Sequence, residues 1–166
     1  MKDFGKEIKN SSTIAGIFEI TKEIVREYLG AGQSGLLVGI TDLGSFSKGF
    51  IGAFYSLDAN AIIINKKPLG RLLQTNPSLY NYYLFHVILH EYIHSIGALD
   101  ESMARQLVYE ISSHYFGANH IITQLASNIG KFIPNLVYPR QGFQLSQDFN
   151  IEFVKGIDVK STNYIN

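Results

Sequence analysis

His90-Glu91-Tyr92-Ile93-His94 sets two imidazoles four residues apart, with a carboxylate directly after the first. The segment around it, from Leu79 to Ile96, contains no glycine or proline and is rich in Leu, Ile, Tyr and Phe, so it reads as a largely buried helix. On that helix His90 and His94 share a face one turn apart, about 6 Å along the axis, and their ring nitrogens can converge on one cation. Glu91 lies beside the pair, where it can take a proton from a water acidified by the metal. Two ligands and a general base on one helix make up the H-E-x-x-H mechanism. Burying two histidines and a glutamate among apolar residues costs several kcal/mol unless they are paired or bound, and a metal removes that cost. The bland alternative is a metal-free core helix that carries the pattern by coincidence.

This segment resembles the active-site helix of the zincin metalloproteases, closely from His90 to about Glu101 and more loosely in the order of elements from about Leu36 onward. The resemblance implies peptide-bond hydrolysis at a single Zn2+, with Glu91 polarising the water and passing its proton to the leaving amine. It also implies an extended peptide substrate held by strand addition to a sheet edge above the helix.

A catalytic zinc takes three protein ligands and keeps one position open, so a further Asp, Glu or His is needed. Asp100 stands first: His90-Glu91-x-x-His94-x-x-Gly97-x-x-Asp100 is similar to the metzincin motif, with aspartate as in snapalysin-like proteases, and Gly97 permits the turn such a motif needs. Glu101 stands second, because gluzincins and the single-domain minigluzincins take a glutamate from the next helix. His120 is a third candidate, brought back by a reversal at Gly117. Each also has an ordinary reading: Asp100 as an N-cap, Glu101 as a first-turn acid, His120 as a cap. His86 lies about 12 Å from His94 along the axis and cannot share its metal, so it reads as a core or supporting histidine. Tyr138 and Arg140 are candidate oxyanion donors, and Asp158 is a conceivable plug if the tail lies in the cleft.

The elements that must position these residues follow from pattern. Ser11, Ser12 or Thr13 caps an amphipathic helix running from Ile14 to Leu29, stopped by Gly30 and Gly32. Gly35 to Ile40 reads as a buried strand, and Phe50 to Leu57 with Ala61 to Asn65 as a hairpin turning at Asp58-Ala59-Asn60. Lys66 to Gly70 reads as a linker into a short helical piece, Arg71 to Gln74. A second helix starts at Asp100-Glu101-Ser102 and closes at Phe116 to Asn119, and a short one runs from His120 to Ile129. Phe143, Leu145, Phe149, Ile151 and Phe153 have the even spacing of a strand pair.

The expected fold is α+β: one small zincin-like domain over residues 1–166, with residues from about 130 onward forming an extension able to cover the cleft. The 166 residues are 46% hydrophobic, 17% charged and 13% aromatic, which suits one folded domain. Formal charge is zero and no basic run occurs, which argues against nucleic-acid and anionic-membrane partners. The absence of cysteine excludes disulfides, thiolate zinc sites and a cysteine nucleophile. No signal peptide or membrane span is read, so a cytoplasmic protein is expected. The leading reading is a zinc-dependent peptidase, with a peptide or protein as partner. Its rival is a non-catalytic metal-stabilised protein that binds or regulates, with four protein ligands such as His90, His94, Asp100 and His120.

Overall fold

A computed structural model describes residues 2–98, 100–139, 143 and 150–157. The chain opens with α1 (Phe4–Asn10), which Asp3 caps by accepting from the Lys6 N–H. Sequence reading passes over this helix, because seven residues with only Phe4 and Ile8 buried give too short a pattern. Then comes α2 (Ile14–Leu29), capped by Thr13 and ended by Gly30 at φ +67°. Strands β1 (Leu37–Thr41), β2 (Phe50–Ile51), β3 (Ala53–Ser56) and β4 (Ala61–Asn65) follow. Helix α3 (Lys66–Thr75) starts directly at the end of β4, correcting the linker expected at Lys66 to Gly70. The buried Asn65 side chain accepts from the Lys67 N–H and so caps α3. Pro68 falls in the first turn of α3, where its missing N–H costs nothing.

A 3-10 turn, Pro77–Leu79, leads into α4 (Tyr80–Ser95), the helix that carries the motif. After it come α5 (Glu101–Phe116), α6 (Ile121–Ser127), a 3-10 turn at Ile129–Lys131, β5 (Leu136–Val137) and β6 (Glu152–Phe153). From Tyr83 to Ile93 every residue of α4 is buried, as a helix apolar on all sides must be. It packs against α2, α5 and α6 and lies beneath β3 and β4.

The main sheet has the order β3-β4-β1-β6, with β1 parallel to β4 and both outer pairings antiparallel. Alternation sorts the side chains of β4: Ile62 and Ile64 join the large core over α4, while Ile63 and Ala61 join a smaller cluster with Phe54, against which Phe143 and Ile151 pack. The hairpin turns with Asn60 at φ +48°. A second, two-stranded sheet pairs β2 in parallel with β5, a pairing with no counterpart in the sequence reading. Of the expected tail strand pair, β6 is present and lies on β1, while Leu145 and Phe149 fall outside the described residues. The architecture is α+β, and no helix among the described residues is long and apolar enough to cross a membrane.

Candidate metal centre

At the end of α4 the rings of His90 and His94 stand 5.0 Å apart, and both turn Nε2 toward one atom of α5. That atom is Glu101 Oε1, 3.1 Å from His90 Nε2 and 2.9 Å from His94 Nε2. Among the described residues, His90, His94 and Glu101 form the group of three with ligand atoms close enough to hold a metal ion, all within 4.8 Å of one another.

His94 shows why positive charge suits this place. Its Nδ1 lies 2.7 Å from the Ala98 carbonyl oxygen, which can only accept, so Nδ1 carries the proton. In the neutral ring Nε2 then presents a lone pair to a carboxylate oxygen, and two acceptors at 2.9 Å repel unless positive charge lies between them. A proton or a metal cation supplies it. In a tetrahedral zinc site with bonds of about 2.0–2.1 Å the donors stand roughly 3.3 Å apart, so the two separations to Glu101 Oε1 are slightly shorter than that figure. Two imidazoles and one carboxylate are a donor set that zinc accepts, and the residues fit the group.

The turn after α4 builds this arrangement. Gly97 adopts φ +112°, which glycine tolerates and other residues resist, and it returns the chain so that the Ala98 carbonyl reaches the His94 ring. The next helix then begins with Asp100 and Glu101 in different roles. Asp100, first choice by spacing, is exposed and caps α5, its Oδ1 accepting from the Ser102 N–H at 2.8 Å. An N-cap has extended backbone geometry and its carboxylate is committed to its own helix, so the structure does not bring Asp100 to the imidazoles. One residue later, Glu101 faces them. His120 caps α6, Nδ1 accepting from the Ile122 N–H, with its ring against Tyr82 and Phe116, and it too lies apart from the pair.

Electrostatics separate the two glutamates. Burial would push the Glu101 carboxyl up, but its contacts with the two imidazoles and with Arg105, which favour a negative charge there, outweigh it and hold it down to about 2. Arg105 Nε sits 3.1 Å from Glu101 Oε2, leaving Oε1 for the histidines. Glu91, by contrast, is 3% exposed. Burial, then the Glu101 charge, pushes its carboxyl well above the usual range, against a hydrogen bond from the Tyr55 backbone N–H. Burial also pulls His90 below its ordinary value, the Glu101 hydrogen bond opposing.

The Tyr55 contact ties the acid to the sheet. Asn65 N–H donates to the Gly52 carbonyl, and the register pairs Phe54 with Ile63, so these are the bonded positions of the hairpin. The peptide groups of Ala53 and Tyr55 therefore point away from β4, off the outer edge of the sheet, where Tyr55 meets Glu91. β3 is thus the outer strand of the hairpin, with β4 inside it.

Tyr138 reaches the site from a direction spacing does not reveal. Its ring stacks on His90 at 4.2 Å and 19°, its hydroxyl lies 2.8 Å from His86 Nε2, and the Arg105 guanidinium stands 4.7 Å over it. Arg105 was overlooked, although its position four residues after Glu101 on one helix is an ordinary acid–base spacing. Arg140 and Asp158 lie outside the described residues. No protein-family model matches this chain, and no curated protein or solved structure does either.

Proposed function

We propose that the chain is a zinc-dependent peptidase of zincin type, with His90, His94 and Glu101 as the protein ligands and Glu91 as the general base. The observation that carries this reading is the convergence of both Nε2 atoms on Glu101 Oε1, one of them with its tautomer fixed by Ala98. Bound there, the divalent cation supplies positive charge that acidifies a neighbouring water, polarises a carbonyl and draws Glu91 back toward its ionised form.

The chain's own residues do the rest. Glu91, adjacent to His90 and hydrogen-bonded by Tyr55, accepts the proton of the attacking water and returns it to the departing amine. The outward peptide groups of Ala53 and Tyr55 pair with an extended substrate and align its backbone above Glu91. The burial that keeps Glu91 dry also makes its proton transfer sensitive to nearby charge. The order of elements, with a helix, a mixed sheet ending in an antiparallel edge strand, and then the motif helix beneath that edge, agrees with a zincin assignment, and the glutamate from the following helix favours the gluzincin branch over the metzincin one. The rival closed site of four ligands has less support, since Asp100 and His120 are both occupied as helix caps.

Purified without a histidine tag, the protein should hold one zinc and cleave peptides. Glu91→Gln should keep the metal and lower hydrolysis by a factor of at least a thousand, whereas His94→Ala should lose both. Undiminished cleavage by Glu91→Gln would remove the assigned base.

A further inference from the structure

The face of α4 that carries His90 continues back toward the start of the helix through His86 and Tyr83, and both are buried with polar atoms to spare. Among the described residues the Tyr83 hydroxyl and His86 Nδ1 have no hydrogen-bond partner. His86 Nε2 has one, the hydroxyl of Tyr138. An unpaired buried N–H is costlier than an unpaired lone pair, so the proton of neutral His86 belongs on Nε2, where it donates to the Tyr138 oxygen.

Tyr138 belongs to no helix of the core. It follows β5, which lies along β2 in extended form, and Leu136, Val137 and Tyr138 are half-buried over a floor that is fully buried. Gly52, between β2 and β3, leaves room for this: a Cβ there would stand 2.7 Å from Leu136 Cδ1 and 2.8 Å from the Tyr83 hydroxyl. The arrangement is that of an extended peptide paired to the sheet, with one phenol lowered onto the helix.

We infer that the space bounded by Tyr83, His86 and the face of His90 is a recognition pocket for a phenolic side chain of a peptide paired with the β2–β3 edge, and that Tyr138 fills it here as a ligand supplied by the chain itself. This rests on the reading of that edge as a peptide-binding strand and does not depend on hydrolysis. The pocket offers a stacking surface, the His90 imidazole, and a buried donor, His86 Nε2–H, at the depth of a para hydroxyl. A phenylalanine in the same place would leave both nitrogens of His86 unpartnered, so tyrosine is preferred by a factor of ten or more.

The test uses the full-length chain with Tyr138→Gly, its fold checked by two-dimensional NMR, and the probes p-cresol and toluene. The variant should bind p-cresol at least tenfold more tightly than toluene and shift the His86 ring nitrogens, while the wild type binds neither; adding His86→Leu should level the two probes. Equal affinity for both probes, or no binding by a folded variant, overturns the pocket. Should Tyr138→Gly fail to fold, Tyr138→Phe, which keeps the ring and loses only the hydroxyl, is compared with the wild type. The His86 ring nitrogens should shift and the folding constant should fall at least tenfold, and unchanged His86 signals and stability overturn the proposal. Because none of these readouts involves metal or cleavage, a peptidase test that fails beside a pocket test that succeeds separates the two ideas.

Discussion

His94 and His120 each stand beside a helix terminus with a backbone group on Nδ1, yet they have opposite polarity. The group on His94 is the Ala98 carbonyl, so Nδ1 is a donor and Nε2 is left with a lone pair. The group on His120 is the Ile122 N–H, so Nδ1 is an acceptor and, in the neutral ring, Nε2 carries the proton. Only the first can ligate through Nε2 without rearrangement. The comparison teaches that a histidine's fitness as a ligand is decided by the partner of its other nitrogen.

The sharpest way to break this contrast is substitution at both positions. His94→Ala should weaken zinc binding by at least a hundredfold in a chelator competition, while His120→Ala should leave zinc affinity within twofold and cost about 1–2 kcal/mol of stability through the lost cap and ring packing. Equal effects on zinc would sink the tautomer argument.

A smaller effect follows from moving the carbonyl and leaving the ring in place. Gly97 at φ +112° sets the direction of the Ala98 carbonyl, and a Cβ at Gly97 meets nothing within 4 Å, so Gly97→Ala imposes backbone strain without a clash. Zinc affinity should fall about 10- to 100-fold, as when a metal-bound histidine loses its outer partner. An unchanged dissociation constant in the folded variant would show that the Ala98 contact is incidental.

How much of this could be read beforehand divides along the same lines. The His90/His94 pair was legible because a four-residue spacing on a helix is local geometry, and the Asp58-Ala59-Asn60 turn was legible because Asn tolerates positive φ. The choice of Glu101 over Asp100 was not, since neighbouring acids differ only in which one the helix start takes as its cap, and aspartate is the better cap. Strand β5 left no trace in the sequence: two residues pairing with β2 some 86 positions earlier make no local pattern. With β5 hidden, Tyr138 could be named as a candidate oxyanion donor, but its stacking on His90 and its hydroxyl on His86 could not be read.

His86, outside the proposed ligand set, gives a pH signature. Burial, then the charges of His90 and Arg105, lowers His86 from 6.5 to about 3, so the folded state binds fewer protons there than the unfolded state does between those values. Stability from this group is complete above pH 6.5 and is lost as pH falls toward 3. Glu91 acts in the other direction: with its folded value raised, the native state holds a proton that the unfolded state releases above 4.5, so metal-free protein loses stability as pH rises. Between 4.5 and 6.5 the two oppose each other. Chelator-treated wild type should therefore decline above pH 6.5 in urea titrations while Glu91→Gln stays level, and parallel curves would contradict the assigned burial of a neutral acid.

The smallest effect belongs to Arg105, whose side chain is 58% exposed while bridging Glu101 and the ring of Tyr138. Exposed ion pairs contribute about 0.2–1 kcal/mol, and water screens this one. Its geometric part is separable from that contribution, because holding Oε2 leaves Oε1 to the histidines. Arg105→Gln should shift stability by less than about 1 kcal/mol and zinc affinity by about two- to fivefold, with the Co2+-substituted spectrum changing as Glu101 gains freedom to use both oxygens. Arg105→Lys should restore charge without the planar fork and recover only part of the affinity. Full recovery by lysine would mean that Arg105 acts as a point charge, and the ligand's orientation would then be set by α5 alone.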